Sequence, residues 1–487
     1  MEAYIILLLA LPLIGSFLFF TGLISSIFKG VQRELFVVAL SLLTLAIALF
    51  VIFSSIGKPI YTISWGSMPW IEISAKLFGA IIDPLSMLML TIVAVLGTFI
   101  VLFSTKYLSP ENKEHPTERG KVAYYGWLLL FIGSMIGIAI SPNLLQFLIF
   151  WELTTLCSAA LIAFYETESG YKAGFKALLM THAPGLFFFI TVAIVFVNTK
   201  SFEFSAINQL SPTLKITVVV FLLISAWAKS AQIPFYTWLP DAMEAPTPIS
   251  AYLHAAAMVK AGVFLVARLI VSISGVPYGI GMLIVLMAIA TMYLGLIFYF
   301  RQDDLKKLLA FSTITHLAYI FFGIGLSVIG SNIAMKGALL HLICHAFGKT
   351  ILFLCVGVIS YLTGTRYISQ LSGLSKRMPV VAFAFIVGVL SVTGIPPFSC
   401  FWSKFFLVVA SIDMKNYLGI IFAVLILGES VGSFIWFLHI AQSVFFGETE
   451  KKEEIKVPAV FQFVLISLVV LSLIAPFWGF SILKTLR

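Results

Sequence analysis

The chain alternates long apolar runs with short polar connections. Fourteen of these runs approach or exceed the roughly 20 residues that a helix needs to cross a hydrocarbon core of about 30 Å. They cover residues 3–26, 34–56, 81–105, 123–141, 143–164, 174–197, 213–238, 247–271, 276–299, 307–329, 333–361, 379–405, 416–445 and 459–480. The pattern predicts an all-α polytopic membrane protein with about 14 transmembrane helices.

The composition agrees with a protein that lies mostly in lipid. Hydrophobic residues make up 61% of the chain and charged residues only 10%, against roughly 25% charged residues in a soluble domain. The first run carries Glu2 and no basic segment before it, so we expect a spanning helix there rather than a signal peptide. The four cysteines fall inside predicted spans without paired spacing, which favours packing over redox chemistry.

The net charge of +9 is carried largely by the loops. Loops after odd-numbered spans hold about twice as many Lys and Arg residues as the other loops. Basic loops remain on the cytoplasmic side, so the loops after odd-numbered spans are expected to be cytoplasmic. With an even number of spans, both termini are then expected to be extracytoplasmic in a prokaryotic cell membrane. The basic residues thus indicate topology, and we expect the lipid bilayer rather than nucleic acid as a partner.

Three connections have recognisable local patterns. Residues 61–75, around Gly66 and Pro69, show β-type alternation and predict a small extracytoplasmic hairpin. Asp83 precedes a proline and is interpreted as the N-cap of the third span rather than as a proton site. Residues 301–307 are interpreted as a solvated loop that enters a helix.

Four lysines interrupt apolar runs: Lys229, Lys260, Lys349 and Lys404. A charge at the bilayer centre costs about 2.5–3.5 kcal/mol even on a lenient insertion scale. A buried amine also gives up its proton more readily than a solvated one, because burial disfavours the charged form. These lysines therefore favour an internal path for protons or cations.

Two similar segments lie close to two of these lysines. An Ile-Pro step at Pro234 follows Lys229, and a second one at Pro396, with Pro397 after it, precedes Lys404. Proline interrupts helix hydrogen bonds, so we predict broken helices at both places. The segments are an odd number of spans apart, which indicates an inverted repeat. The alternative is that the prolines are ordinary kinks in a tight bundle.

The repeat divides the chain into four predicted parts. Residues 1–120 contain the first three helices and the hairpin, and residues 121–271 form the first five-helix unit. Residues 272–446 form the second, inverted unit, with its broken helix as the twelfth span. Residues 447–487 contain a cytoplasmic loop and the last helix.

Other polar residues extend the lysine pattern. Glu152 has no charged neighbour in sequence, and it either pairs with a lysine such as Lys229 or forms a purely structural ion pair. His254 and Lys260 lie almost opposite each other around one predicted helix. His341, His345 and Lys349 recur every four residues and predict a polar stripe on one helix face.

Several further residues are possible members of a proton path. These are Asp241, His316, Glu429 and His439, of which the two histidines are equally compatible with packing in the core. His182 is interpreted as a packing residue.

Metal and cofactor chemistry is not supported by the motifs. The His341 and His345 pair has metal-ligand spacing, but the helix lacks the intervening glutamate of a zinc protease and Lys349 would repel a cation. No nucleotide, flavin or iron–sulfur motif is present. We therefore expect no metal site and no cofactor in this chain.

Longer motifs in the same region resemble a known family. Residues 229–248 read KSAQIPFYTWLPDAMEAPTP, and residues 254–262 read HAAAMVKAG. Shorter matches are FWEL at 150–153, DLKKLLAFSTI at 304–314, HLICHAFGK at 341–349 and GIPPF at 394–398. Together they resemble the antiporter-like subunits of respiratory complex I, a family shared with Mrp-type cation/proton antiporters and with membrane-bound hydrogenase and sulfane reductase complexes.

The resemblance implies a proton-translocating subunit with two inverted half-channels joined by a polar axis. In this family pattern Glu152 and Lys229 resemble the carboxylate–lysine pair, and Lys260, reached through His254, resembles the bridging lysine. The axis would continue through His341, His345 and Lys349 to an outlet near Lys404. The chain is expected to lack the lateral arm found in the distal subunit of complex I, and to be most similar to the D-type Mrp subunit.

Two functions remain open at this point. The first is a subunit of a redox-driven ion pump or a Mrp antiporter, with other membrane subunits and a hydrophilic redox arm as partners. The second is a self-sufficient cation/proton transporter. Enzyme activity is not assigned, because the chain shows no redox site of its own.

Overall fold

The computed structural model describes residues 1–68, 73–448, 454–484 and 486. The first helices are α1 Glu2–Phe20, α2 Leu23–Ile27, α3 Val31–Ser55, α4 Pro84–Tyr107, α5 Lys121–Ile140, α6 Leu144–Ile162, α7 Glu168–Thr199, α8 Pro212–Lys229, α9 Trp238–Asp241, α10 Thr247–Ala255 and α11 Met258–Ser272. The remaining helices are α12 Tyr278–Tyr299, α13 Leu305–Val328, α14 Ala334–Thr363, α15 Leu374–Arg377, α16 Pro379–Thr393, α17 Ser399–Ile412, α18 Tyr417–Ala441 and α19 Ala459–Leu483.

The predicted number of membrane helices is confirmed. Within the described residues, 13 helical segments are long and apolar enough to cross a membrane. The two shorter apolar helices α16 and α17 follow one another and together cover the twelfth predicted span. The protein is an all-α, multi-pass membrane protein.

The predicted hairpin is present as β1 Tyr61–Met68 and β2 Ile73–Ile82, which pair antiparallel. It continues to Ile82, further than predicted, while its tip with Pro69 lies outside the described residues. Gln146 on α6 holds β2 in place. Its side-chain amide accepts a hydrogen bond from Gly79 N at 2.8 Å and donates one to Gly79 O at 3.0 Å.

The helices differ in how much of their surface the rest of the chain buries. The apolar windows of α13 and α14 are 100% buried inside the chain, whereas those of α7 and of the segment containing α18 are 39% and 33% buried. Side chains on α13 and α14 are therefore shielded from lipid. The helices α7 and α18 contribute outer faces.

Both predicted helix breaks are confirmed. Pro234 lies in the connection between α8 and α9, and Pro396 and Pro397 lie between α16 and α17. The Ile233–Pro234 and Pro396–Pro397 peptide bonds are cis. A broken helix frees backbone groups that a buried polar site can use.

A third break separates α10 from α11 and was not predicted. Ala256 and Ala257 leave the helical conformation at this point. His254 precedes the break and Lys260 follows it, so the two side chains do not share a continuous helix as the sequence analysis assumed. Three of the four lysines that interrupt the apolar runs, all except Lys349, thus lie close to a helix break.

Asp83 caps α4, as predicted. Its Oδ1 accepts a hydrogen bond from Ser86 N at 2.9 Å, and both carboxylate oxygens also accept from the Arg268 guanidinium on α11. Both side chains are almost fully buried. Burial alone would raise the pKa of Asp83, but the charge and hydrogen bonds of Arg268 outweigh it and lower the pKa.

Replacing Asp83 with asparagine is expected to destabilise the protein by about 3–5 kcal/mol, because Arg268 keeps a buried charge without its partner. Since the folded-state pKa is lowered, this contribution is present above the unfolded pKa of about 3.9 and is lost as the pH falls through the folded value. Thermal unfolding of the two proteins at neutral and acidic pH measures the difference. Asp413→Asn, at an exposed position, is the control; equal melting temperatures for both variants would contradict the role of the ion pair.

Candidate functional site: a buried chain of lysine and histidine side chains

Five helices bring ionisable and hydroxyl side chains together inside the protein. We call this group the central polar chain; its members are Lys260 on α11, His316 and Tyr319 on α13, His341 and His345 on α14, Ser403 and Lys404 on α17, and Glu429 on α18. All are buried, and the most exposed of them, Lys404, is only 7% exposed. In such an interior the electrostatic interactions between these groups are stronger than in water.

Three histidines form the middle of the central polar chain. His316 Nδ1 lies 3.1 Å from His341 Nε2, and the His316 and His345 rings stack with centroids 4.9 Å apart. His341 Nδ1 lies 2.8 Å from Ser403 Oγ. Two N–H groups cannot hydrogen-bond to each other, so the facing nitrogens of His316 and His341 share one proton. This contact is suited to passing a proton from ring to ring.

Lys260 joins the histidines from α11. Its Nζ donates to Leu342 O at 2.9 Å and lies 3.2 Å from His345 Nδ1. Two unit charges at that distance repel by about 5 kcal/mol at an effective dielectric constant of 20. Protonation of Lys260 and protonation of His345 therefore oppose each other, and a charge on one favours release from the other.

Tyr319 connects the histidines to the break before α17. Its ring centroid lies 5.2 Å from the His341 ring centroid and 4.7 Å from Lys404 Nζ, and its hydroxyl donates to Glu429. Lys404 Nζ lies 3.9 Å from Glu429 Oε2 and donates to Ser430 Oγ at 2.9 Å. A cation, a carboxylate and a phenol thus meet at this end of the chain.

Lys229 lies outside the central polar chain, at the end of α8. Its Nζ donates to Trp151 O at 2.9 Å and to Thr155 Oγ1, and it lies 4.8 Å from the centroid of the Trp151 ring. Both partners are on α6. The helices α8 and α11 pack against each other, so Lys229 and Lys260 are on adjacent helices.

Glu152 does not form the expected ion pair with Lys229 in the described structure. Its Oε2 lies 2.7 Å from His182 Nδ1 on α7, a residue that the sequence analysis interpreted as packing. Consecutive side chains on a helix point about 100° apart. Because Trp151 lies on the face of α6 toward Lys229, the next residue, Glu152, points outward. The Glu152 and His182 side chains are 29% and 52% exposed.

Four more predicted site residues make no hydrogen bond to the central polar chain within the described residues. Neither ring nitrogen of His254 hydrogen-bonds to another group in the described part of the chain, and its ring packs on Phe353. Lys349 donates to Ser312 Oγ at 2.7 Å and makes no hydrogen bond to His345 in the described part of the chain. The other two lie nearer the surface: His439 beside Trp436, and Asp241 in an ion pair with Lys176 at 2.6 Å.

The interpretation of residues 301–307 as solvated is wrong for Lys306. This residue is 2% exposed, and its Nζ donates to Ala245 O, at the start of the α10 region, at 2.6 Å. The neighbouring Lys307 is more exposed. Hydropathy cannot separate two consecutive lysines, because only the packing of α13 against other helices decides which one is covered.

No group of three or more His, Cys, Asp or Glu side chains is placed to hold a metal ion among the residues that the structure describes. The three histidines instead contact one another, Lys260 and Ser403. That the chain carries no metal and no redox cofactor stays a prediction.

Two family models match the chain. Residues 141–428 match the model described as NADH:quinone oxidoreductase/Mrp antiporter, TM. Residues 70–115 match the model described as NADH-Ubiquinone oxidoreductase (complex I), chain 5 N-terminus. The first match includes every member of the central polar chain except Glu429.

Curated relatives include proteins of two kinds. The chain is 36% identical over 423 residues to the chloroplastic NAD(P)H-quinone oxidoreductase subunit 5 of Lemna minor, covering 82% of this chain and 55% of the relative. It is 35% identical over 440 residues to the A-type component of the Na(+)/H(+) antiporter of Alkalihalophilus pseudofirmus, covering 85% and 54%. The chain thus spans about half the length of these relatives, and this antiporter relative is of the A type rather than the expected D type.

Two solved structures have a similar fold. The Mrp complex from Dietzia sp. contains a chain with a TM-score of 0.84 and 31% identity, matched over 98% of this chain and 50% of that one. The archaeal membrane-bound sulfane sulfur reductase contains a chain with a TM-score of 0.85 and 24% identity, matched over 99% and 96%. At that identity the second likeness supports the fold alone.

Proposed function

The chain belongs to the NADH:quinone oxidoreductase/Mrp antiporter transmembrane family, and from this premise we propose that it translocates protons as one subunit of a multi-subunit membrane complex. The complex would be a redox-driven pump or a Mrp-type antiporter. The observation that carries the proposal is the series of close contacts from Lys260 through His345, His316 and His341 to Ser403.

In the proposed mechanism the central polar chain moves a proton by repulsion between neighbouring cations. A proton that reaches Lys260 disfavours one on His345, 3.2 Å away, and drives it toward His316 and His341. Tyr319 and Ser403 then lead to Lys404, where Glu429 stabilises the arriving charge. Hydrogen-bond distances join Lys260 to His345, His316 to His341, and His341 to Ser403. The His345 and His316 rings are stacked, so the proton would cross between them through a ring rotation or a bridging water.

In this mechanism protons enter the chain at Glu152 and Lys229. The Glu152–His182 pair is partly exposed. Lys229 donates a hydrogen bond to the carbonyl of Trp151, the residue before Glu152. A proton taken up at the pair would change the field at Lys229 and, through the adjacent α11, at Lys260. In this scheme His254 and Lys349 do not carry the proton along the central polar chain. His254 precedes Lys260 in the sequence, and Lys349 follows His345.

The proposed architecture keeps the two inverted units, residues 121–271 and 272–446. Each unit would contain one helix broken at proline beside a lysine, Lys229 in the first and Lys404 in the second, and the first unit would also contain the break between α10 and α11. The loop charges support extracytoplasmic termini in a prokaryotic cell membrane.

Partner subunits are supported by the Glu152–His182 pair. Both residues lie in the interior of long membrane helices and face the outside of the chain. Ionisable groups that face lipid are unfavourable, so we propose that another membrane subunit covers this face. A hydrophilic redox module is the proposed energy source if the complex is a pump.

Replacing Lys229 with alanine in the native complex is expected to reduce proton translocation about 100-fold, in the range lost with a proton-transfer group. The complex should still assemble, because Lys229 is buried and its hydrogen bonds among the described residues go to α6 of its own chain. Proton uptake into proteoliposomes, normalised to the amount of assembled complex, measures the effect. Lys215→Ala, at the other end of α8, is the matched control, and wild-type pumping in both variants would refute the proposal.

The self-sufficient transporter is distinguished by a second preparation. Proteoliposomes that contain only this chain should be inactive if it works within a complex. Robust cation/proton exchange by the isolated chain would instead support the alternative.

A further inference from the structure

A cavity of about 220 Å³ lies between the ends of three helices near the N-terminus of the chain. It is formed by the C-terminal end of α1 and by the first turns of α3 and α5. These helices are all candidate membrane spans, so the cavity lies at the depth of lipid headgroups. It is remote in sequence from the central polar chain and plays no part in the proposed mechanism.

Of the four charged side chains around this cavity, two pair with each other and two have no partner among the described residues. Lys121 Nζ donates to Glu34 Oε1 at 2.7 Å, so these two side chains neutralise each other. Arg33 and Glu118 also line the cavity, and neither side chain has a hydrogen-bond or ion-pair partner among the described residues. One unpaired cation and one unpaired anion therefore border the same space.

Two further features favour an anionic group inside the cavity. The helices α3 and α5 begin after Gly30 and Gly120, and neither has a side chain that caps its first N–H groups. Uncapped helix N-termini attract anions. Tyr125 lines the cavity, is 1% exposed, and its hydroxyl has no hydrogen-bond partner in the described part of the chain. A buried hydroxyl without a partner points to a polar ligand.

We propose that this cavity binds the headgroup of a zwitterionic phospholipid that carries a primary amine. The phosphodiester would lie between Arg33, the Tyr125 hydroxyl and the start of α5, and the ammonium group would meet Glu118. The four charged side chains sum to zero, so a purely anionic headgroup would leave Glu118 facing a like charge. Phe20 and Leu35, each next in sequence to a residue that lines the cavity, are exposed and would provide apolar surface for the acyl chains.

Lipid titration of the delipidated full chain in detergent, followed by native mass spectrometry, tests the site. Phosphatidylethanolamine should bind at least about tenfold more tightly than phosphatidylglycerol with the same acyl chains, as expected for one charge-assisted hydrogen bond. Arg33→Gln should weaken phosphatidylethanolamine binding about tenfold, because the phosphate loses its cation. Lys29→Gln, an equal change of charge in the same connection, should have no effect.

A second variant tests the amine contact. Glu118→Gln should abolish the preference for phosphatidylethanolamine and leave phosphatidylglycerol bound at least as well as before. Equal binding of the two lipids by the unmodified chain, or equal behaviour of Arg33→Gln and Lys29→Gln, would overturn the proposal. Soluble phosphoethanolamine that binds as tightly as the lipid would identify a free metabolite as the ligand and overturn the lipid assignment. Unchanged melting temperatures establish that the variants are folded.

Discussion

Replacing Lys260 with either alanine or arginine is expected to lower proton translocation about 100-fold, the range associated with loss of a proton-transfer group. Alanine removes the group that lies 3.2 Å from His345. Arginine keeps the positive charge but does not release a proton at any working pH. Proton uptake by proteoliposomes that contain the native complex is the measurement.

The arginine variant separates two roles for Lys260. A lysine that only donates a hydrogen bond to the Leu342 carbonyl and holds α11 against α14 would be replaced well by arginine, and pumping would survive. A lysine that carries the proton would not. Lys172→Arg, at an exposed position on α7, is the control for the substitution itself. Wild-type activity in Lys260→Arg would remove Lys260 from the mechanism.

Replacing His316 with asparagine is the second change with a large expected effect, again about 100-fold on proton translocation. The asparagine amide occupies nearly the position of Nδ1 and can retain the contact with His341, 3.1 Å away. It cannot take up an additional proton, so transfer between His345 and His341 should stop. Assembly of the complex should be unaffected, because His316 is buried inside this chain and its hydrogen bond to His341 can be kept.

His439 is the matched control for this experiment. In the sequence His316 and His439 look alike, since each is a single histidine in a predicted span. The structure places His316 among the histidines of α14 and His439 at the exposed face of α18 beside Trp436. His439→Asn should therefore pump normally. Equal losses in the two variants, or no loss in either, would contradict the assignment of His316.

The contrast between these histidines illustrates how much of the site the sequence predicted. Lys260, His341, His345 and Lys404 were found because ionisable residues are rare in apolar spans and therefore conspicuous. Tyr319 was missed, since a tyrosine in an apolar helix carries no such signal. His182 was misinterpreted because its partner, Glu152, is 30 positions away on another helix.

Partnerships between helices were the main source of error. Glu152 was assigned to Lys229, whereas the structure pairs Glu152 with His182 and Lys229 with Trp151 and Thr155. The four-residue spacing put Lys349 on the same stripe as His345, yet its long side chain reaches Ser312 on α13. Helical periodicity specifies a direction on one helix and does not specify which neighbouring helix lies there.

The order and number of the membrane helices follow from the chain alone, because every span must satisfy its own backbone hydrogen bonds in lipid and therefore requires a continuous apolar run. The helix breaks at Pro234 and Pro396 follow in the same way from proline's missing N–H group. The inverted repeat and the orientation stay predictions. The family resemblance implied an axis from Lys260 through His341 and His345 to Lys404. Tertiary packing alone decided that His316 and Tyr319 join this chain and that Glu152 pairs with His182, since these contacts depend on how helices distant in sequence fit together.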